Sequence, residues 1–314
     1  MSAIFDTHAH YDDKAFDGDR EALLEALPEN GIARVVNVGA SRASCRRSLA
    51  LAEKYDFIYA SVGVHPSETA ELEEMDRQPL SPRLPEAWDS EEGRKEQAGH
   101  AQEPEEGRKE QDVRVLEPEA RQQALHNHGA DPIDQLRVMC RHAKCVAVGE
   151  IGLDYYWDDP AREIQKKWFI LQLQLARECR LPVIIHSRDA ARDTADIMTA
   201  EKAGEIGGVI HCFSYTKETA RIFLEMGFYI GIGGVLTFQN ARKLKEAVEY
   251  IPMDRIVLET DCPYLAPVPF RGKRNSSLNL PYVVEALASV KGISGEEVRR
   301  AAWENGLRLY GMGE

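Results

Sequence analysis

Short apolar runs recur along the chain at 4–5, 32–38, 57–64, 146–150, 182–186, 208–211, 228–234 and 255–261. Runs of this length, bounded by polar turns, predict buried strands. Between them lie stretches whose apolar residues repeat at helical spacing, which predicts helices over 17–27, 41–55, 132–142, 159–180, 189–200, 216–226, 240–250, 280–290 and 295–310. Ser41 is a suitable N-cap for the second of these. Trp168, Leu171 and Leu175 share one face of the longest and are expected to be core. Eight strands alternating with helices make parallel βαβ units. The expected fold is α/β, a (β/α)8 TIM barrel with an acidic insertion after the third strand.

The pattern breaks down between 71 and 131. Apolar residues are sparse there, and the heptapeptide EEGRKEQ occurs at 91–97 and again at 105–111. Between Glu71 and Asp112 stand 14 acidic and 6 basic residues, so most of the chain's net charge of −13 sits in this stretch. Such composition buries too little surface to offset chain entropy. The expected organisation is one barrel domain over 1–314, with 71–131 a polar, charged insertion that is partly helical at most.

Composition excludes several classes. The acidic balance argues against general affinity for polyanions, which rests on basic surface. No apolar run approaches the roughly 20 residues that span a bilayer. The start, MSAIFDTHAH, lacks the basic and apolar regions of a signal peptide. Cys45, Cys140, Cys145, Cys179, Cys212 and Cys262 form no CxxC pair, so reduced thiols in a cytoplasmic protein are expected.

Chemistry-bearing residues stand where the strands end. His8 and His10 close the first run, His65 the third, Glu150 the fourth, His186 the fifth, His211 the sixth and Asp261 the eighth. In a (β/α)8 barrel these ends share one rim, and that rim carries the active site. An unpaired carboxylate such as Glu150 is costly to bury, so a cation is its natural partner. The expected ligands are His8, His10, Glu150, His186, His211 and Asp261. They are too many for one tetrahedral zinc and suit two divalent ions, Mg2+, Mn2+ or Zn2+. His8, His10 and Asp261 would share one ion with Glu150, and His186 and His211 the other. Glu150 would bridge, and Asp261 could take a proton from the attacking water. Both are therefore catalytic candidates, with His65.

The segments DTHAH, VGVHP, GEIGLDYY, HSRDA, HCFS, ETDCPYLAPVPFRGKRN and ENGLRLYG occur in this order outside 71–131. On them the chain resembles the TatD family of metal-dependent deoxyribonucleases, within the amidohydrolase-type barrels. The resemblance implies a cytoplasmic, metal-dependent hydrolysis of DNA phosphodiesters, with single strands or ends as the expected partner, no membrane, and the same six ligands. It implies a phosphate or substrate contact for His65. The chain departs from the family's pattern at Tyr215, Cys262 and Ser276–Ser277, near the sixth and eighth strands. The connection after VGVHP is also longer than usual.

Other residues carry plainer readings beside functional ones. Arg271, Lys273, Arg274 and Asn275, after the eighth strand, either clasp phosphates or form an ordinary solvated loop. His65 either meets substrate or only holds its loop. Asp154 and Tyr155 are candidates for orienting ligands, and Glu259 for supporting Asp261 across i, i+2. Cys212 and Cys262 are read as small packing residues. Three functions remain open at this point: a nuclease, another ester or amide hydrolase such as a deacylase of aminoacyl-tRNA, and a non-catalytic metal-binding scaffold.

Overall fold

The computed structural model describes residues 3–77 and 131–313. Eight strands form one parallel sheet in sequence order: β1 (Ile4–Ala9), β2 (Ile32–Val38), β3 (Ile58–Val62), β4 (Cys145–Asp154), β5 (Val183–Arg188), β6 (Gly208–Ile210), β7 (Tyr229–Ile232) and β8 (Ile256–Leu258). The sheet closes where the segment after β8 meets β1. Ala9 bridges Cys262, the His10 amide donates to the Cys262 carbonyl at 2.8 Å, and the Asp261 amide donates to the His8 carbonyl at 2.9 Å. The architecture is the expected (β/α)8 barrel.

Between the strands lie α1 (Arg20–Glu29), α2 (Arg42–Lys54), α3 (Thr69–Asp76), α4 (Pro132–Cys140), α5 (Arg162–Cys179), α6 (Ala191–Ala200), α7 (Lys217–Glu225) and α8 (Arg242–Tyr250). After β8 come α9 (Leu280–Lys291) and α10 (Gly295–Leu309). Ser41 caps α2 as expected, accepting from the Ser44 amide. Ser294 and Glu297 form a capping box that starts α10.

The core has two parts. Inside the barrel, Phe5, Val36, Ala147, Ile184, Val209 and Val257 pack together, and Leu307, Leu309 and Tyr310 at the end of α10 stop the lower mouth. The Tyr310 hydroxyl donates to the Thr7 carbonyl at 2.8 Å, which fixes that plug. Outside, the opposite strand faces meet the helices, with Val35, Val183, Ile185 and Ile210 in that cluster. The alternation leaves the upper mouth to polar side chains.

The expectation that the fourth strand stops at Glu150 is corrected: β4 runs on to Asp154. Its register against β5 shifts between Val148 and Ile151, as a bulge does, and resumes to pair Asp154 with Arg188. Gly152 makes that pairing possible. Its φ is +143°, and a Cβ there would lie 1.9 Å from the His186 carbonyl oxygen. Gly152→Ala is expected to lower the melting temperature by about 5 °C or more, from strain of about 1–3 kcal/mol plus the clash. An unchanged thermal melt would show that β4 and β5 can separate at no cost.

Of the acidic segment, residues 78–130 lie outside the described residues. Its first turns form α3, which packs on α5. Leu72 is buried, and Glu73 accepts from the Trp168 indole at 3.1 Å and from Lys167 at 2.8 Å.

Candidate metal centre

The rim brings all six expected ligands, and His65, to one point. Glu150 is at the centre, fully buried, and its two carboxylate oxygens face different neighbours. Oε2 lies 3.5 Å from His8 Nε2 and 3.7 Å from His10 Nε2. Oε1 lies 2.6 Å from His211 Nε2, 2.7 Å from His186 Nδ1 and 3.7 Å from His65 Nε2. Asp261 Oδ1 joins the first side, 3.4 Å from His10 Nε2 and 3.7 Å from His8 Nε2. Within each side two imidazole nitrogens stand 3.1 Å apart, His8 with His10 and His186 with His211. Nitrogens that close need a proton or a cation between them.

Local backbone geometry produces this convergence. The register of β1 against β2 shifts between Asp6 and Ala9, around His8. At the ends of β6 and β8, Cys212 and Asp261 adopt left-handed φ values of 45° and 55°. Non-glycine residues rarely take that conformation, and it concentrates at functional sites.

A layer of fixed partners lies behind the cluster. His10 Nδ1 is held by the Val38 carbonyl at 2.9 Å, and His186 Nε2 by Asp154 at 3.1 Å. Glu259 faces His211 Nδ1 at 3.9 Å and accepts from the Cys212 amide. Its place depends on Gly231, where a Cβ would fall 2.2 Å from Glu259 Oε2. Glu259 therefore backs His211, not Asp261 as the i, i+2 spacing suggested. Buried Asp6 accepts from the His8 amide and from the hydroxyls of Thr260 and Ser277, at 3.3, 2.7 and 2.6 Å, tying β1 to the β8 end. Gln165 and Gln172 of α5 reach up to the rim: Gln165 bonds both backbone groups of Asp154, and Gln172 both of Val64. Asp6, Gln165 and Gln172 do not stand out in the sequence. The available signal was a polar residue at a core-facing position.

Charge among these side chains is divided unevenly. Burial lowers His10 and His186, but hydrogen bonds and charges from Asp261, Glu150 and Asp154 outweigh it and raise each to about 9. His8 and His65 fall to about 4 and 3, through burial and the neighbouring imidazoles. Burial works against ionisation of Glu150 and Asp261, yet the surrounding imidazoles hold both below the usual carboxylate range.

The donor set fits divalent cations. It is made of imidazole nitrogen and carboxylate oxygen, and three groupings have ligand atoms within 4.8 Å of one another: His8, Glu150 and His211; His8, His10 and Asp261; and His65, Glu150 and His186. His65 thus reaches the cluster itself, while its Nδ1 binds the Ser67 hydroxyl at 2.8 Å.

The cluster opens into a cleft of about 690 Å3, lined also by Arg47, Arg188, Trp157, Tyr264 and Leu265. The four candidate phosphate contacts lie elsewhere. Arg274 forms a two-point pair with Asp19 at 2.7 and 2.6 Å, because its partner sits at the foot of α1. Asn275 is buried and donates to the Thr260 carbonyl at 3.0 Å, holding the loop after β8. Arg271 lies over the Phe238 ring at 4.5 Å, and exposed Lys273 does not line the cleft. Tyr155 donates to Asp193 at 2.7 Å, outside the cluster. Cys262 is buried and Cys212 half-buried; all six cysteines are free thiols.

A parallel (β/α)8 barrel with histidines and carboxylates gathered at its C-terminal rim is the architecture of a metal-dependent barrel enzyme. Residues 5–311 match the family described as TatD related DNase, and the chain belongs to the TatD family. It is 37% identical over 307 residues to the uncharacterized metal-dependent hydrolase YabD of Bacillus subtilis, covering 98% of both chains. It is 30% identical over 309 residues to the uncharacterized metal-dependent hydrolase YjjV of Escherichia coli K12, again covering 98% of both. The crystal structure of YjjV, a TatD homolog, superposes with a TM-score of 0.73 at 27% identity, over 99% of this chain and 98% of that one. Among the described residues no helix is long and apolar enough to cross a membrane.

Proposed function

We propose that the protein is a deoxyribonuclease that hydrolyses phosphodiester bonds with two divalent cations. The observation that carries this reading is the division of Glu150, one oxygen toward His8 and His10 and the other toward His186 and His211. Glu150 would be shared between the two cations, with His8, His10 and Asp261 holding one and His186 and His211 the other. Cations bound there would polarise a phosphoryl oxygen and lower the pKa of water.

The chain's own residues supply the rest. Asp154 fixes the ring of His186 and the Val38 carbonyl that of His10, while Glu259 stands 3.9 Å behind His211 Nδ1. Asp261 is poised at the cleft floor to take the proton of the attacking water. His65, on the opposite side of Glu150, either completes the second grouping or receives a phosphate oxygen. Arg188 lines the cleft and can meet the DNA backbone; Arg47 lines it too but is paired with Asp12 at 3.1 Å.

The test is hydrolysis of labelled DNA, RNA and acyl-ester substrates by metal-loaded protein. DNA cleavage that chelation abolishes is the expected result. Cleavage of acyl esters with DNA untouched would favour the deacylase reading. Arg188→Ala is expected to raise KM for DNA several-fold and reduce its salt dependence, whereas Lys273→Ala should leave both unchanged. The reverse pattern would return the phosphate contacts to the loop after β8.

A further inference from the structure

Among the described residues, eight large apolar side chains are exposed, and five lie on the two loops that follow β4 and β8: Tyr156, Trp157, Tyr264, Leu265 and Val268. Single exposed apolar residues are ordinary, but a cluster at one rim is a patch that marks a binding surface. Trp157 is 66% exposed and Tyr264 56%, and both line the cleft over the metal cluster. In an eight-stranded barrel of this order, β4 and β8 stand half a turn apart. Their loops therefore rise on opposite walls, with Glu150 and Asp261 between them.

These side chains are held in place. The amides of Tyr156 and Trp157 both donate to Asp154, at 3.0 and 3.1 Å, the same carboxylate that orients His186. Arg188 lies 3.9 Å over the Tyr156 ring, which in turn meets Trp157 edge-on at 5.0 Å. The Trp157 wall is thus tied to the reacting centre and carries a guanidinium beside its aromatic surface. Flat apolar rings next to a cation are what a nucleotide with an accessible base can occupy: its base stacks and its phosphate pairs. A base inside a duplex offers no free face.

We infer that Trp157 and Tyr264 form a two-walled platform that stacks the nucleobases flanking the scissile phosphate. This rests on the nuclease reading above.

The experiment compares wild type, Trp157→Ala, Trp157→Phe and Tyr264→Ala, all metal-loaded. The substrates are a single-stranded oligonucleotide, its blunt duplex, and the same single strand with abasic sites spanning the cleaved linkage. Wild type should prefer the single strand to the duplex. Trp157→Ala should lose about tenfold or more in kcat/KM on the single strand, mostly through KM, the size expected for one base–aromatic stack. Tyr264→Ala should lose in the same way. On the abasic strand wild type should fall to a similar level, and Trp157→Ala should lose nothing further. Trp157→Phe should retain most of the activity, which a purely steric role would not predict. Full activity of Trp157→Ala on the single strand, or a loss undiminished on the abasic strand, would overturn the platform while leaving the nuclease reading intact. Absence of DNA hydrolysis by wild type would overturn both.

Discussion

Glu150→Gln is expected to leave a folded barrel with turnover reduced by at least about a hundredfold, more than the loss of a residue that only orients a ligand. The substitution keeps the shape of the side chain and removes its charge. That charge is buried among His8, His10, His65, His186 and His211, with His211 and His186 only 2.6 and 2.7 Å from Oε1. An amide cannot offer an acceptor on both sides at once. One end becomes an NH2 donor facing either the His8 and His10 pair or the His186 and His211 pair. Metal content should fall with activity, while circular dichroism stays that of the parent. Turnover at the parent rate, with full metal content, would remove Glu150 from the centre of the mechanism.

The barrel and its rim cluster were legible because parallel strands buried on both faces read as continuous apolar runs, and six of the eight runs end on a residue that does not belong in a core. His8 with His10, Glu150, His186, His211 and Asp261 needed only the rule that such ends share a rim. What the sequence does not display is long-range polar pairing. Arg274 reads as a free cation beside Lys273 until Asp19, 255 positions away, is seen beside it. Asn275 reads as a loop amide until the Thr260 carbonyl appears above it. Glu259 reads as a candidate support for Asp261 if residues i and i+2 share a face, but β8 ends at Leu258 and the left-handed turn at Asp261 breaks the period. Gln165 and Gln172 look like spacers in an amphipathic helix, although both are buried and hold Asp154 at the end of β4 and Val64 just after β3. Each of these depends on a partner that the fold supplies.

Removal of divalent cations is expected to lower the melting temperature, and the difference should widen between pH 6.5 and 8.5. A ligand that binds only the folded state at 100 times its Kd stabilises it by about 2.7 kcal/mol, or about 5–10 °C for a domain of this order. The pH dependence follows from the two raised histidines. His10 and His186 are lifted to about 9 by Asp261, Glu150 and Asp154 against the effect of burial. A group with a raised folded pKa contributes stability that is complete below its unfolded value of about 6.5 and is lost as pH rises toward 9. The metal-free protein thus loses the benefit of those two protons across this window. Metal binding needs the same nitrogens unprotonated, so it tightens over the same range. His8 and His65, lowered to about 4 and 3, are neutral in the folded protein across this window with or without metal, so they add no slope to the difference. Thermal melts of chelated and metal-buffered protein, at one free-metal activity, read the difference directly. A gap that narrows toward pH 8.5, or is absent at every pH, would show that cations do not replace protons at this rim.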